Sequence, residues 1–423
     1  MQEDFLHYIW QYKKFDVLHS KTVQNEPLTI VSVGQPNLNA GPDFFNAQLK
    51  IAGQLWAGNV EIHLKSSDWF VHNHEQDTNY DNVILHVVWE HDTDVYRKNN
   101  TVIPTLEIKP YVDKQHFENY KKLLSNHHKW INCENDFANV DDFILSNWLE
   151  RLYIERLERK SKTIEALLEA SKQDWEAVLF KLLAKTFGLK VNGDAFFSLA
   201  NSVDFSIVRK VQSKPEQLEA LLFGQAGLLK RDFQDPYYLN LVNDYQFLKQ
   251  KFRLDNRHVL PLQFFRLRPP NFPTIRLSQL AMLYHKHQNL FSKIIALQEL
   301  DDFYEVFKVF TSAFWETHYT FEKQSKASTK TLTKSFVDLI LINAVLPLKF
   351  CYAKHTGQPI EDQIVTIANA TPSESNAIVK AFEKLKSVSV SALRSQALIQ
   401  LKTEYCDKNK CLHCAVGSAL IIK

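Results

Sequence analysis

The segment Asn59-Val-Glu-Ile-His-Leu-Lys65 alternates apolar and polar residues along its length. Side chains on a β-strand point alternately to its two faces, so the pattern predicts a strand with one apolar face. Glu61, His63 and Lys65 then stand in a row on the opposite face. Such a row is most often the solvent-exposed side of an antiparallel sheet, but an acid, an imidazole and an amine are also groups that catalysis uses.

The residues just before this strand add a second acid. Gly41-Pro-Asp43 is a rigid turn, and residues 44–51 after it have the pattern of another strand. If the two strands pair, Asp43 and Glu61 lie close enough to share one divalent cation, for which carboxylate oxygens are suitable ligands. Four of the ten glycines fall between residues 34 and 58, where the backbone turns tightly or lies close to a ligand. Nearby side chains that could support such a site are His72, His74 and His86.

The composition is that of an ordinary globular protein. A chain of 423 residues predicts two or three domains, and 45% hydrophobic with 23% charged residues is typical. The net charge of +2 indicates no general attraction to nucleic acid or membranes, so any nucleic-acid contact would come from a local patch. The N-terminus lacks the basic residues of a secretory signal, and we find no apolar run of about 18 residues. These features predict a cytoplasmic protein without a membrane partner.

Helical and strand periodicities divide the chain into two parts. Residues 3–14 have helical spacing, and a short helix is expected within residues 66–81. The expected strands are 28–33, 44–51, 55–65, 83–89 and 101–109, the last interrupted by Pro104. The pattern predicts an α+β domain over residues 1–130. A polar, irregular stretch at 126–142, in which we expect His127 and His128 to be exposed, marks the boundary.

From residue 143 the spacing of apolar residues is helical, which predicts an all-α domain over residues 140–423. Pro215, Pro236 and Pro347 stand where helices are expected to start or stop. The expected helices after the first long one are 175–186, 215–229, 236–251, 275–297, 302–318, 331–346, 361–369, 374–385 and 391–404.

Three of the five cysteines lie within nine residues, in Cys406-Asp-Lys-Asn-Lys-Cys411-Leu-His-Cys414. Two thiolates separated by two residues can bind one soft metal, and Cys406 can close the loop as a third ligand. The spacing leaves Cys133, Cys351 and His413 open as the fourth ligand, and both Zn²⁺ and an iron–sulfur cluster use such ligands. The expected role is structural; the alternative is a group of free thiols.

Arginines in a proline-stiffened loop are a further candidate surface. Arg266, Arg268 and Arg276 fall in Arg266-Leu-Arg-Pro-Pro-Asn-Phe-Pro-Thr-Ile-Arg276, which opens a helix. Arginine is a common contact for nucleic-acid phosphates, so these side chains are candidate phosphate contacts. The alternative is an ordinary set of surface arginines.

Several segments together resemble an uncharacterised bacterial family that occurs mainly in Bacteroidetes. The resemblance covers nearly the whole chain and brings no established activity. Its segments are residues 41–47, 56–63, 67–69, 82–88 and 223–227, with the terminal cysteines.

Residues 3–110 also resemble, more distantly, the restriction-endonuclease-like PD-(D/E)xK nuclease superfamily. That resemblance implies a core of helix, three strands, helix and strand (αβββαβ), with Asp on the second strand and Glu-x-Lys on the third. Pro42-Asp43 matches the first half, and Glu61-Ile-His63 matches the second with histidine in the lysine position. The resemblance implies that Asp43, Glu61 and the carbonyl after Glu61 hold Mg²⁺. It leaves open whether His63 or Lys65 takes the lysine's role.

Some nucleases of that superfamily also carry a four-cysteine iron–sulfur cluster with three cysteines near the C-terminus. The trio in this chain is similar, with different spacing, and Cys133 follows the core. The resemblance thus implies an iron–sulfur cluster as one occupant of the cysteine site.

These patterns predict a Mg²⁺- or Mn²⁺-dependent phosphodiesterase, a nuclease acting on DNA or RNA. In this hypothesis Asp43 and Glu61 bind metal, and His63 and Lys65 position water or stabilise charge. One alternative is a catalytically inactive protein that binds nucleic acid and recruits partners through its helical domain. The other is a zinc hydrolase that takes its nitrogen ligands from His63, His72, His74 and His86.

Overall fold

We describe a computed structural model of the protein over residues 2–37, 39–124 and 129–423. His127 and His128, expected to be exposed, lie outside these residues. The chain forms two compact units, Met1–Trp148 with Lys402–Lys423, and Leu149–Leu401. The mixed α+β class, with a sheet near the N-terminus and a large helical region after it, is confirmed. The last residues, which the sequence pattern placed with the helical domain, group with the first unit.

The first unit is built on a mixed sheet of six strands in the described part of the chain. The order is β1-β3-β4-β5-β6, with β2 beside β3. β3 is antiparallel to β1 and β4, whereas β4, β5 and β6 run parallel. The strands are β1 Leu28–Ser32, β2 Gln35–Pro36, β3 Phe44–Ile51, β4 Gln54–Lys65, β5 Val83–Glu90 and β6 Thr105–Glu107.

One face of this sheet carries the main hydrophobic core. Val60, Ile62 and Val87 from the sheet pack with helices at both ends of the chain. One core cluster contains Phe5 of α1 (Glu3–Gln11) and Ile421 of α18 (Ala415–Ile422). Tyr8 bonds Ser418 between α1 and α18, with 2.7 Å between the hydroxyl oxygens. The helices of the unit are α1 Glu3–Gln11, α2 Asp68–Val71, α3 Lys114–Leu124, the start of α4 Asp142–Ala170, and α18 Ala415–Ile422.

The opposite face is covered by the connection between β4 and β5. Parallel neighbours need a crossover connection, and residues 66–82 provide it with α2 and a single 3₁₀ turn, Thr78–Tyr80. Trp69 and Tyr80 from this crossover form a second, smaller apolar cluster with Val83, Val95 and Ile103. The polar face of β4 is therefore buried as well, rather than exposed to solvent.

Two local features set the position of the strand ends. β3 carries a bulge between Phe44 and Ala47, where Asn46 has a φ of +57°, and bulges turn a strand and redirect its side chains. Gly58 on β4 lies so close to β5 that a Cβ atom there would stand 2.6 Å from the Asn82 carbonyl oxygen. Only glycine fits this approach.

The second unit is helical except for a short hairpin of β7 His318–Thr320 and β8 Lys323–Gln324. Pro215 and Pro236 begin α8 and α9, as their positions predicted. The helices are the rest of α4, α5 Trp175–Phe187, α6 Leu189–Asn201, α7 Phe205–Val211, α8 Pro215–Gln225, α9 Pro236–Phe252, α10 Pro273–Lys286, α11 Leu290–Ala296, α12 Leu300–Val306, α13 Lys334–Ile340, α14 Leu346–Thr356, α15 Glu361–Ala370, α16 Ala377–Leu385 and α17 Ala392–Gln400.

Several expected helices differ from the structure. The helix expected at 275–297 is two helices, α10 and α11. The helix expected at 302–318 ends at Val306, because Thr311 and Leu332 donate backbone N–H groups to Lys330 and Val309 across two extended segments. The helix expected to stop at 346 continues to Thr356. A π-helical segment, Leu341–Val345, precedes Pro347 and accommodates the missing N–H.

Within the described residues, one helical segment, Lys334–Thr356, is long and apolar enough to cross a membrane. The sequence pattern predicts no such membrane-spanning segment. In the most apolar window of this segment 83% of the residues are buried inside the protein, as is typical of the core helix of a soluble protein.

Candidate functional site

The polar cluster gathers on the face of the sheet that the crossover covers. Glu61 and His63 come from β4, and His86 from β5, where it lies directly opposite Glu61 in the parallel register. His72 and His74 come from the crossover itself. Asp43 immediately precedes β3, and the first residue of β3, Phe44, pairs with Val60 in the middle of β4. The fold thus brings together side chains that are up to 43 positions apart in the sequence.

A turn ordered by one asparagine holds Asp43 in place. The Asn37 side-chain amide donates to the carbonyls of Asn39 and Pro42 at 2.9 and 3.1 Å, and its backbone N–H donates to the Asp43 carbonyl at 2.8 Å. This arrangement points Asp43 toward β4.

Asp43 and Glu61 are joined by reciprocal hydrogen bonds. The Asp43 backbone N–H donates to Glu61 Oε2 at 3.1 Å, and the Ile62 backbone N–H donates to Asp43 Oδ2 at 2.9 Å. Each carboxylate is therefore held by a backbone N–H group at or next to the other acid. The two acids that the sequence pattern singled out are neighbours.

Histidines extend from Glu61 on its other side. Glu61 Oε1 lies 3.5 Å from His63 Nε2 and 3.3 Å from His74 Nε2. His63 Nε2 also lies 3.1 Å from His72 Nδ1, while His63 Nδ1 lies 2.9 Å from His86 Nε2. The imidazole of His63 is therefore the centre of this group.

The spacing of these atoms suits a metal ion. One ligand nitrogen from each of His63, His72 and His74 lies within 4.8 Å of the other two. In a tetrahedral site with metal–nitrogen distances of about 2.0–2.1 Å, neighbouring ligand atoms are about 3.3 Å apart. The separations of 3.1–3.5 Å around His63 and Glu61 are of this size. His86 would then orient His63 through its other nitrogen, as the partners of metal-bound histidines commonly do.

Burial sets the protonation of the cluster. The side chains of Glu61 and His63 are only 6% and 2% exposed. Burial, reinforced by the Asp43 charge, raises the pKa of Glu61 from 4.5 to about 9. Burial, reinforced by His74 and His72, lowers the pKa of His63 from 6.5 to about 3, and burial also holds the pKa of His86 well below its usual value. The buried histidines are neutral, the state that binds metals, and a cation would replace the proton on Glu61.

Stacked aromatic rings fix the crossover histidines. His74 stacks on Tyr80 with ring centroids 3.8 Å apart and on His63 at 5.3 Å. Trp69 packs edge-on against His74 and tilted against His86. His72 is the exposed member of the group and lies at its rim.

Lys65 stands apart from this cluster. It lies at the exposed end of β4, where its backbone N–H donates to the Asp68 carboxylate at 2.9 Å. Of the two residues proposed for the lysine position, the structure brings His63 to the acids and leaves Lys65 at the surface.

Two residues of α1 belong to the site and were not predicted. His7 Nε2 lies 3.4 Å from Asp43 Oδ2, and the charge of Glu3 acts on His7. Burial disfavours the charged form of His7, but Asp43 and Glu3 outweigh it and raise the pKa. Glu3 and His7 are four residues apart and share one helix face, but this spacing does not show that the face meets Asp43.

The candidate phosphate contacts of the second unit have two different environments. Arg266 and Arg268 lie on their loop with at least part of each side chain open to solvent. Arg276 is buried, donates to Gln279 and Asn271 at 2.9 and 2.6 Å, and lies 3.7 Å from the centre of the Phe336 ring. Arg276 therefore stabilises its own helix and is not presented to a phosphate.

A family profile described as "Protein of unknown function (DUF2851)" matches residues 3–377. The matched range contains every member of the Asp43–Glu61–histidine cluster and ends before the terminal cysteines. Searches of curated proteins and of solved structures gave no significant match. Because the match spans most of its length, the chain belongs to the DUF2851 family.

Proposed function

We propose that the first unit is a metal-dependent phosphodiesterase that acts on nucleic acid. The observation that carries this proposal is the placement of Glu61 between a second carboxylate and a group of neutral histidines. Asp43 contacts it through reciprocal backbone bonds, and His63 and His74 lie within 3.5 Å of its free oxygen.

The order of elements supports the nuclease resemblance. The unit runs helix, three main strands, short helix and strand, with Asp43 at the start of the second main strand and Glu61 on the third. This is the element order and acid placement that the PD-(D/E)xK resemblance implies. That resemblance implies a cation held by Asp43, Glu61 and the Ile62 carbonyl, whereas the histidines around Glu61 offer a second set of ligands.

The histidines favour a borderline metal over Mg²⁺. Imidazole nitrogen suits Zn²⁺ and Mn²⁺ better than Mg²⁺, which prefers oxygen and retains its waters. We therefore propose Mn²⁺ or Zn²⁺ as the ion, held by Glu61 with His63, His72 and His74. Such an ion, if bound there, would polarise a phosphoryl oxygen and lower the pKa of a water molecule.

The remaining groups act on the substrate side. His72, the ligand exposed at the rim, would leave the bound ion open to a phosphate on that side. His7 stands beside Asp43 and can supply the positive charge that Lys65 is too far along the strand to provide. His86 and Tyr80 hold the ligand imidazoles in their orientations.

The test is cleavage of labelled single- and double-stranded DNA and RNA by the full chain, with Mn²⁺, Zn²⁺ or Mg²⁺ added. We expect cleavage with Mn²⁺ or Zn²⁺ that is lost in Asp43→Ala and Glu61→Ala. The matched control is Glu90→Gln, an exposed acid at the end of β5. Cleavage that survives both active-site substitutions refutes the assignment.

The histidine trio favours one second candidate, a zinc hydrolase that acts on another class of substrate. It predicts stoichiometric zinc at His63, His72 and His74 together with turnover of simple esters or amides and none of nucleic acid. Binding of nucleic acid that weakens with salt, without turnover under any metal, would instead indicate an inactive binding protein.

A further inference from the structure

We propose that Cys133, Cys406, Cys411 and Cys414 form a four-thiolate site for a soft metal centre, either Zn²⁺ or an iron–sulfur cluster. This site is separate from the histidine cluster. It would join the C-terminal segment to the residues that follow the sheet within the first unit. The structure thereby assigns Cys133 as the fourth ligand, which the sequence spacing left open.

A direct contact brings the two segments together. The side-chain amide of Asn132, the residue next to Cys133, donates to Cys411 Sγ at 3.3 Å and to Asn409 Oδ1 at 3.2 Å. Cys133 and Cys411 both pack against the main core cluster. Cys133 is thus adjacent to the loop that carries the other thiols.

The loop itself is tightly ordered. The Asn409 N–H donates to the Cys406 carbonyl at 3.2 Å, and the Cys414 N–H donates to the Cys411 carbonyl at 3.2 Å, which closes the Cys-x₂-Cys turn. A Cβ atom at Gly417 would overlap the Cys411 carbonyl oxygen, so α18 begins in close contact with this turn. Such a turn directs two thiols to one side.

The surroundings suit thiolates. The backbone N–H groups of Val416 and Gly417 lie near the Cys414 sulfur and favour its charged form. All four cysteines are free thiols.

The other candidates for the fourth ligand are placed elsewhere. Cys351 is buried in α14 of the second unit, with its sulfur 4.0 Å from the Ser161 carbonyl oxygen. His413 is exposed between Cys411 and Cys414. Cys406, in contrast, lies close enough to Cys133, Cys411 and Cys414 for the charges of their thiolates to interact.

The experiment is metal and sulfide analysis with an absorption spectrum of the full chain, purified without oxygen from cells supplied with zinc and iron. We expect one zinc ion, or iron with inorganic sulfide and visible absorption, per chain in addition to any ion at Glu61. Cys133→Ser and Cys411→Ser should lose this centre, whereas Cys351→Ser should keep it. Glu61→Ala should also keep it, which separates the two sites.

A measurement on the unmodified chain avoids dependence on folding of the variants. A mercurial thiol reagent should release the metal as four thiols react, with the fifth reacting independently. Wild-type chain that carries neither zinc nor iron at this site, or Cys133→Ser that keeps the full complement, overturns the proposal.

Discussion

The Glu61 carboxylate accepts the backbone N–H of Asp43 at 3.1 Å, while the Asp43 carboxylate accepts the N–H of Ile62 at 2.9 Å. This exchange locks two acids side by side at the junction of β3 and β4. Two neighbouring carboxyls in a buried setting repel each other when both are ionised, so the pair is poised for a cation or a proton.

We expect Glu61→Gln to stabilise the metal-free protein. The pKa of Glu61 is raised by burial and by Asp43 from 4.5 to about 9, so its contribution to stability is fully present below pH 4.5 and is lost as the pH rises toward 9. A neutral amide avoids that loss. At pH 8, with chelator present, the free energy of unfolding should rise by on the order of 3 kcal/mol in a denaturant titration. Glu90→Gln should change little, and a destabilised Glu61→Gln would contradict a protonated Glu61 in the metal-free protein.

Metal uptake at neutral pH should release about one proton, because Glu61 is protonated in the metal-free site and His63 is already neutral. Calorimetric titrations with Mn²⁺ or Zn²⁺ in two buffers of different ionisation enthalpy measure this number. To isolate this site, the titration uses protein in which Cys411 is replaced by serine. Uptake without proton release would mean that Glu61 is ionised before the ion binds.

Replacement of Gly58 by alanine should destabilise the first unit by about 2–4 kcal/mol. The new Cβ would overlap Ile84 Cγ2 and stand 2.6 Å from the Asn82 oxygen, which accepts the Asn59 N–H at 2.9 Å. Displacement of that carbonyl separates β4 from β5 and so Glu61 from His86. Thermal unfolding measures the loss, and Gly53→Asn is the control, since its φ of +85° suits asparagine and nothing lies within 4 Å. Equal stability of the two variants would show that β4 and β5 can move apart freely.

His7 and Lys65 should differ in their effect on cleavage. His7 contacts Asp43, whereas Lys65 lies at the exposed end of β4. We expect His7→Gln to lower the rate by about 10²-fold or more and Lys65→Ala to leave it nearly unchanged. Single-turnover rates at saturating metal distinguish the two. A large loss of rate in Lys65→Ala with little change in His7→Gln would instead assign Lys65 the role of the lysine that the nuclease resemblance implies.

The period-two alternation predicted much of the sheet, because the pattern of a strand with one apolar face lies within the strand's own sequence. The strands expected at 44–51 and 55–65 are Phe44–Ile51 and Gln54–Lys65. The strand expected at 101–109 is shorter, Thr105–Glu107, because Pro104 lies just before it and has no N–H to donate.

Contacts between distant segments could not be predicted in the same way. Nothing in the local pattern of α1 shows that His7 meets Asp43, or that Ser418 returns to contact Tyr8. The alternation of β4 placed Lys65 beside His63 on one face, but it could not show that the crossover buries one and leaves the other exposed. These outcomes depend on tertiary packing rather than on spacing.

The most direct test of the proposed metal centre is a crystal structure of the protein with Mn²⁺ or Zn²⁺, measured by anomalous scattering. We predict an anomalous peak about 2.0–2.2 Å from a Glu61 carboxylate oxygen and from nitrogens of the His63, His72 and His74 trio. A protein saturated with the ion that shows no peak beside Glu61 would contradict the assignment of a metal to this cluster.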